Sequence, residues 1–174
     1  AELLVRLVLE RDLRDVTLIG HSLGGGVALL VALLLRDRGE GDRLEALVSV
    51  VGAAYPQRLP RFISLARRRR IATTALLLLP TGWLIRKVLE SIVHDPDTVT
   101  DEQVAAYGAP LRKRDGRRAL VESAARILPG DVDRWTRRYP EIDVPALVLW
   151  GREDSFVPFR IGARLARELP PARL

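Results

Sequence analysis

The chain has 174 residues, of which 48% are apolar and 29% charged, a composition typical of a folded globular domain. It contains no cysteine, which excludes disulfides and thiolate metal sites, and its only histidines are His21 and His94. The net charge is +6, and the excess lies in residues 53–143, which hold 17 Lys/Arg and 11 Asp/Glu. No apolar run reaches the roughly 18 residues that a membrane span needs. A chain without cysteine suits the cytoplasm, which is the localisation we expect.

The first fifty residues alternate between helical and strand-like patterns. Apolar residues at helical spacing predict a surface helix over residues 1–13, ended by Asp15. The run VTLIG (16–20) predicts a buried parallel strand, and the nearly all-apolar residues 23–35 predict a helix covered on most sides. Residues 44–53 predict a second buried strand. This order predicts an α/β fold with a parallel sheet.

The middle of the chain shows helical patterns and no comparable strand. We predict helices over residues 60–79, 81–93, 101–109 and 115–128. A third buried strand is predicted at 144–151, and an amphipathic helix at 158–169. The predicted organisation is therefore a core segment over 1–54, a helical insertion over 55–140 and a second core segment over 141–174.

Ser22 lies where the first strand passes into the second helix, within GHSLG. A serine hydroxyl needs a base and oxyanion donors to act as a nucleophile, and a sharp strand-to-helix turn can expose it for that role. The turn requires small residues two before and two after the serine, here Gly20 and Gly24. Free N–H groups at the helix N-terminus face the developing charge, so the Leu23 N–H is the expected oxyanion donor. A chance Gly-x-Ser-x-Gly is the alternative, and the position between strand and helix disfavours it.

The stretch VTLIGHSLGGGVAL resembles the nucleophile elbow of the α/β-hydrolase superfamily, in the GHSLGG form of its capped esterase-like and lipase-like members. The resemblance implies a partial α/β-hydrolase sheet, with three strands identified, and a helical cap over residues 55–140. Gly26 departs from the family, in which alanine is more usual, and should only loosen the start of the helix slightly. His21 supports the elbow and should point away from Ser22 and pack beside it.

The resemblance also implies an acid, because the triad order in this family is Ser, acid, His. In PALVLWGREDSFVP, Asp154 occupies the position of that acid and would accept an imidazole N–H. The alternative is a solvated loop acid next to Glu153. No histidine follows Asp154, and His94, in the predicted insertion, is a disfavoured substitute for the base.

The chain contains no methionine and opens directly on a helical pattern, so we expect it to be part of a longer polypeptide. We expect the catalytic histidine and the second oxyanion donor to lie outside residues 1–174. Residues 1–174 alone should then have little or no activity.

The resulting hypothesis is a serine hydrolase that cleaves a carboxylic ester or related acyl bond of an apolar small molecule, with no metal or organic cofactor. C–C bond hydrolases and cofactor-free haloperoxidases of the same fold stay open, as does a non-catalytic binding protein. The basic run Arg67–Arg70, beside apolar residues 71–79, admits contact with a membrane surface, although a solvated basic face is favoured. That run has no interleaved aromatic residues, so nucleic acid is not an expected partner.

Overall fold

The chain forms two compact units in a computed structural model. The described residues are 1–56, 68, 71–74, 79–125, 132–154 and 156–174. The first unit comprises Ala1–Pro56 and Asp131–Leu174, and the second comprises Gln57–Gly130. The second unit thus lies inside the limits of 55 and 140 predicted for the insertion, and its end falls earlier than predicted.

A four-stranded parallel sheet forms the centre of the first unit. The strands, in both chain and spatial order, are β1 (Val16–His21), β2 (Leu44–Val50), β3 (Ala146–Leu149) and β4 (Ala172–Arg173). The first three confirm the strands predicted from the apolar runs. The two-residue β4 is an addition, and it is too short to leave a pattern in the sequence.

Residues 71–74 are helical, and seven further α-helices have both ends among the described residues. They are α1 (Glu2–Glu10), α2 (Leu23–Asp37), α3 (Thr81–Glu90), α4 (Asp101–Gly108), α5 (Arg114–Ala125), α6 (Val132–Thr136) and α7 (Phe159–Glu168). Helix α1 ends before the predicted residue 13 because Asp12 adopts a positive φ of 45° and Asp15 one of 54°. The predicted helices at 81–93, 101–109 and 158–169 are confirmed. The one predicted at 115–128 is confirmed as far as residue 125, and residues 126–128 lie outside the described residues, as does most of the helix predicted at 60–79.

One face of the sheet carries the core of the first unit. Leu47 and Val148 are fully buried on this face, where they pack with α2, α1 and α7. Helix α2 is buried along most of its length, through Leu29, Leu33 and Leu35 among others, as its composition predicts. The hydrophobic effect therefore holds the sheet against its helices on this side.

The opposite face of the sheet is partly exposed in the described part of the chain, most of all on β1 and β3. Successive strand residues alternate between faces, so the side chains of Ile19 and His21 lie on the face opposite to that of Gly20. Ile19 is 72% exposed, and Leu147 and Leu149 of β3 are exposed as well. Parallel sheets are ordinarily covered on both faces, so an exposed apolar surface of this kind is unusual for a parallel sheet.

The second unit is helical and basic. Its described core is small, with Leu111 and Val121 buried and three partly buried side chains packed against them. Residues 57–130 carry 14 Lys/Arg and 7 Asp/Glu, a net charge of +7. Of the run Arg67–Arg70 only Arg68 is described, and it is exposed. Among the described residues, no helix has both the length and the apolar character needed to cross a bilayer.

Candidate active site

Ser22 occupies a strained turn between β1 and α2. Its φ is 52° and its ψ is −118°, a combination that residues other than glycine rarely adopt. The Ser22 N–H donates to the Val50 carbonyl over 2.9 Å, and the Ser22 carbonyl accepts from the N–H of Gly25 over 3.0 Å and of Ala53 over 2.8 Å. These bonds hold the backbone on both sides of the serine.

The hydroxyl of Ser22 is not used to cap the helix. Ser22 is the N-cap residue of α2, where a serine oxygen ordinarily accepts a hydrogen bond from the second or third N–H of the helix, and this bond is absent. The hydroxyl therefore stays available for chemistry. Leu23 opens the helix, so its N–H has no helical carbonyl to bond and can serve an oxyanion.

The glycines of the elbow are not equivalent. A Cβ at Gly20 would lie 2.2 Å from the Gly24 carbonyl oxygen, so only glycine fits there. A Cβ at Gly24 would meet nothing within 4 Å among the described residues, so no described contact there accounts for the expected small residue. A Cβ at Gly26 would lie 2.5 Å from the Ala53 carbonyl oxygen. The expectation that Gly26 only loosens the helix start is therefore wrong, because α2 lies directly on the segment after β2.

Ser49 of β2 lies beneath this turn. Its side chain is fully buried, and its Oγ has no hydrogen-bond partner within the described residues. A Cβ at Gly52 would lie 2.2 Å from that Oγ, and one at Gly25 would lie 3.1 Å from it. The elbow, β2 and the following segment are thus in close contact, and there is little space for any added atom.

The register of the sheet brings Ser22 and Asp154 to the same edge. His21, Val50 and Leu149 are aligned at the carboxyl ends of three neighbouring strands. Ser22 follows β1 directly, and Asp154 lies in the loop after β3. Neighbouring strands are about 4.8 Å apart, so the ends of β1 and β3 are separated by about 10 Å. This edge of a parallel sheet is where ligands bind in open α/β folds.

The loop after β3 is organised around Asp154. Its Oδ1 accepts the N–H groups of Phe156 and Val157, each over 2.8 Å, and its own N–H donates to Gly151 over 3.3 Å. The side chain is half-buried. These bonds fix the carboxylate and leave Oδ2 as an acceptor, which is the arrangement needed to hold an imidazole N–H.

Trp150 braces this loop, and sequence reasoning missed it. Its Nε1 donates to the Val157 carbonyl over 2.8 Å, and the Val157 N–H in turn donates to Oδ1 of Asp154. A Cβ at Gly162 of α7 would lie 2.5 Å from ring carbons of Trp150. A tryptophan directly before the Gly-x-x-Asp stretch was the available signal, and its value as a donor depends on contacts that spacing does not reveal.

Neither histidine stands in for the base in the described residues. The side chain of His21 is exposed instead of packing beside the elbow as expected, because it lies on the uncovered face of the sheet. His94 is exposed and belongs to the second unit. The described hydrogen bonds join neither imidazole to Ser22 or Asp154.

Comparisons with known proteins place this elbow and sheet in a family. A model of the alpha/beta hydrolase family matches residues 1–174. The uncharacterized hydrolase YugF of Bacillus subtilis is 26% identical over 184 residues, covering 98% of this chain and 59% of that protein. A 2-hydroxy-6-oxononadienedioate/2-hydroxy-6-oxononatrienedioate hydrolase of Burkholderia vietnamiensis is 32% identical over 160 residues, covering 90% of this chain and 52% of that protein. A crystal structure of an alpha/beta hydrolase fold protein from Burkholderia ambifaria superposes with a TM-score of 0.77 at 24% identity, covering 95% of this chain and 59% of that one.

A parallel sheet with a serine at a strained strand-to-helix turn defines the α/β-hydrolase class of fold. The chain belongs to the alpha/beta hydrolase family. It spans 59% of the length of the first of these relatives and 52% of the second.

Proposed function

We propose that Ser22 is the nucleophile of a hydrolase that cleaves a carboxylic ester or related acyl bond of a small molecule through an acyl-enzyme. The observation that carries this proposal is a serine held at φ 52° at the head of α2 whose hydroxyl does not cap the helix. Backbone strain of about 1–3 kcal/mol at such a residue persists only where the surroundings enforce it. A serine kept in this geometry, with no hydrogen bond from its hydroxyl to the helix it caps, is best explained by chemistry at its oxygen.

The proposed reaction proceeds in two steps. In the first, the Ser22 oxygen attacks the acyl carbon, its proton passes to a base, and the carbonyl oxygen becomes an oxyanion that accepts the Leu23 N–H. As the tetrahedral intermediate collapses, the bond to the leaving group breaks and the protonated base returns the proton to that group. In the second step, water attacks the acyl-enzyme with the same base accepting its proton, and the acid product leaves as Ser22 regains its hydrogen.

We propose that Asp154 orients the imidazole that serves as this base. Its Oδ2 would accept the imidazole N–H and stabilise the imidazolium formed in each step. The relatives are longer than this chain, so we expect the imidazole, and a second oxyanion donor, to come from segments beyond residues 1–174. We further propose that the second unit, which lies within the predicted insertion 55–140, acts as a cap that shapes the pocket.

Cleavage of a carbon–carbon bond is the second candidate. The Burkholderia vietnamiensis relative is named for a substrate with a ketone and no ester, so its hydrolysis breaks a C–C bond. The same nucleophile and oxyanion donor could act on such a ketone. The identity of 32% favours this chemistry as an alternative, whereas the geometry of Ser22 fits both.

The test compares two substrates and two lengths of protein. The longest natural polypeptide containing residues 1–174, and residues 1–174 alone, are assayed with p-nitrophenyl acetate and with a 2-hydroxy-6-oxo-dienoate, each with its Ser22→Ala variant. We expect turnover by the longer protein that Ser22→Ala abolishes, and the preferred substrate decides between ester and C–C cleavage. Turnover unchanged by Ser22→Ala would contradict the proposal. Ser22-dependent turnover by residues 1–174 alone would show that no further segment is needed.

A further inference from the structure

The position of Ser22 depends on a short segment that follows β2. The N–H of Ala53 donates to the Ser22 carbonyl over 2.8 Å, and it comes from a part of the chain distant in sequence. The Gly25 N–H, which bonds the same carbonyl, belongs to the same turn as Ser22. The segment Val51–Ala54 is therefore an external support for the strained elbow.

This segment needs support of its own. Val51 has a positive φ of 48°, which is unfavourable for a β-branched residue, and the segment belongs to no helix or strand. The hydroxyl of Tyr139 donates to the Ala54 carbonyl over 2.5 Å. Ala54 is 1% exposed and Tyr139 is 4% exposed, so without this bond the carbonyl would be buried with no partner among the described residues. Burial raises the pKa of Tyr139, so the hydroxyl keeps its proton and remains a donor.

Tyr55 offers a contrast within the same cluster. Its ring packs edge-to-face against that of Tyr139, with centroids 5.4 Å apart and planes at 76°. Its hydroxyl, however, donates to Oε2 of Glu168 on α7 over 2.8 Å, and the Arg164 guanidinium lies 3.9 Å from its ring centroid. The two hydroxyls thus have different hydrogen-bond partners. That of Tyr139 bonds the segment that supports Ser22, and that of Tyr55 bonds a side chain on α7.

We propose that Tyr139 is a positioning residue for the nucleophile. Its hydroxyl fixes the Ala54 carbonyl, which keeps the Ala53 N–H against the Ser22 carbonyl and thereby sets the direction of the Ser22 hydroxyl. This role rests on the proposed function of Ser22. It assigns a catalytic consequence to a residue that contacts neither substrate nor reacting atoms.

The test compares Tyr139→Phe with Tyr55→Phe, which each remove a hydroxyl oxygen from one of two rings that pack edge-to-face. In the longest natural polypeptide we expect Tyr139→Phe to lower kcat for an activated ester by about tenfold to a hundredfold, with KM within about twofold. Tyr55→Phe should leave both within about twofold. Amide hydrogen exchange gives a readout independent of activity: protection of the Ala53 N–H should fall in Tyr139→Phe and not in Tyr55→Phe.

A second variant approaches the same segment from the opposite side. Gly26→Ala places a Cβ 2.5 Å from the Ala53 carbonyl oxygen, so it should displace the segment and lower kcat in the same way. This variant tests the proposal even if Tyr139→Phe fails to fold. Equal kcat and equal Ala53 protection in all variants and the parent protein would overturn the proposal. If the parent protein shows no turnover that depends on Ser22, the proposed function fails. The positioning role is judged separately, because unchanged protection of the Ala53 N–H in Tyr139→Phe would overturn it whatever the activity.

Discussion

Ser22 and Asp154 both follow parallel strands at one edge of the sheet, but the backbone around each is fixed by different means. At Ser22 the chain is strained, and it is held by backbone hydrogen bonds from Gly25 and Ala53 and by close contacts that exclude a side chain at Gly20. Around Asp154 the chain is held by hydrogen bonds from Phe156 and Val157. The bonds and contacts at Ser22 hold an unfavourable conformation, whereas Asp154, Phe156 and Val157 adopt no positive φ. Ser22 is therefore placed at a cost in stability, and Asp154 is placed with a gain.

The largest expected effect separates the chemistry of Asp154 from its structural role. In Asp154→Asn the amide oxygen can still accept the Phe156 and Val157 N–H groups, so the loop should keep its shape. Hydrolytic activity of the longest natural polypeptide should fall by a factor on the order of 1,000 or more, because the charge that orients and stabilises the imidazolium is lost. Glu153→Gln, one residue away, should stay within about twofold. Equal activity of the two variants would show that Asp154 is only a loop acid.

Steric confinement of the elbow can be tested with two glycines. Gly20→Ala should lower the free energy of unfolding by about 3 kcal/mol, because the added Cβ would overlap the Gly24 carbonyl. Gly24→Ala should change it by no more than about 1 kcal/mol, since the Cβ enters open space and alanine favours the helix. Urea denaturation followed by circular dichroism measures both. Similar losses would mean that confinement at Gly20 is not what shapes the turn.

Removing the strain at Ser22 and removing the hydrogen bonds at Asp154 should change the free energy of unfolding in opposite directions. Ser22→Gly should raise the unfolding free energy by about 1 kcal/mol, because relief of about 1–3 kcal/mol of strain exceeds the entropy cost of glycine. Asp154→Ala should lower it by about 1–3 kcal/mol, because two N–H groups lose their acceptor. Ser22→Ala, which keeps the strain, is the control for the first variant. Destabilisation by Ser22→Gly would contradict a strained elbow.

The smallest effect concerns the buried hydroxyl beneath the elbow. Ser49→Ala removes a buried oxygen that lacks a partner in the described residues, so it should leave stability unchanged or raise it by up to about 1 kcal/mol. Ser91→Ala is the control, because the Ser91 hydroxyl is exposed and donates to the Val88 carbonyl, and its loss should cost about 0.5 kcal/mol or less. A clear loss of stability in Ser49→Ala would point to a hydrogen bond at this position.

The elbow was predictable because its determinants are local. The run VTLIG, Ser22 between glycines and the apolar residues after it specify a strand, a turn and a helix within twenty residues, and the structure contains all three. The helices found at Thr81–Glu90, Asp101–Gly108 and Arg114–Ala125 were predictable from their period for the same reason. The parallel pairing of β1, β2 and β3 followed from the alternation of helices and strands.

The supports of the site were not predictable, because they join residues far apart in sequence. The Tyr139 hydroxyl bonds a carbonyl at Ala54, and the Ala53 N–H bonds Ser22. The true roles of Gly24 and Gly26 depend on whether the segment after β2 approaches the helix, which spacing alone does not state. The exposure of His21 likewise depends on which sheet face is covered.

The central claim, that Ser22 is a nucleophile, is tested most directly by covalent labelling. The longest natural polypeptide containing residues 1–174 is treated with a fluorophosphonate, digested and mapped by mass spectrometry, beside its Ser22→Ala and Asp154→Asn variants. The account predicts one adduct on the peptide containing Ser22, slow formation in Asp154→Asn and none in Ser22→Ala. Labelling at another residue, or an equal rate in Ser22→Ala, would contradict it.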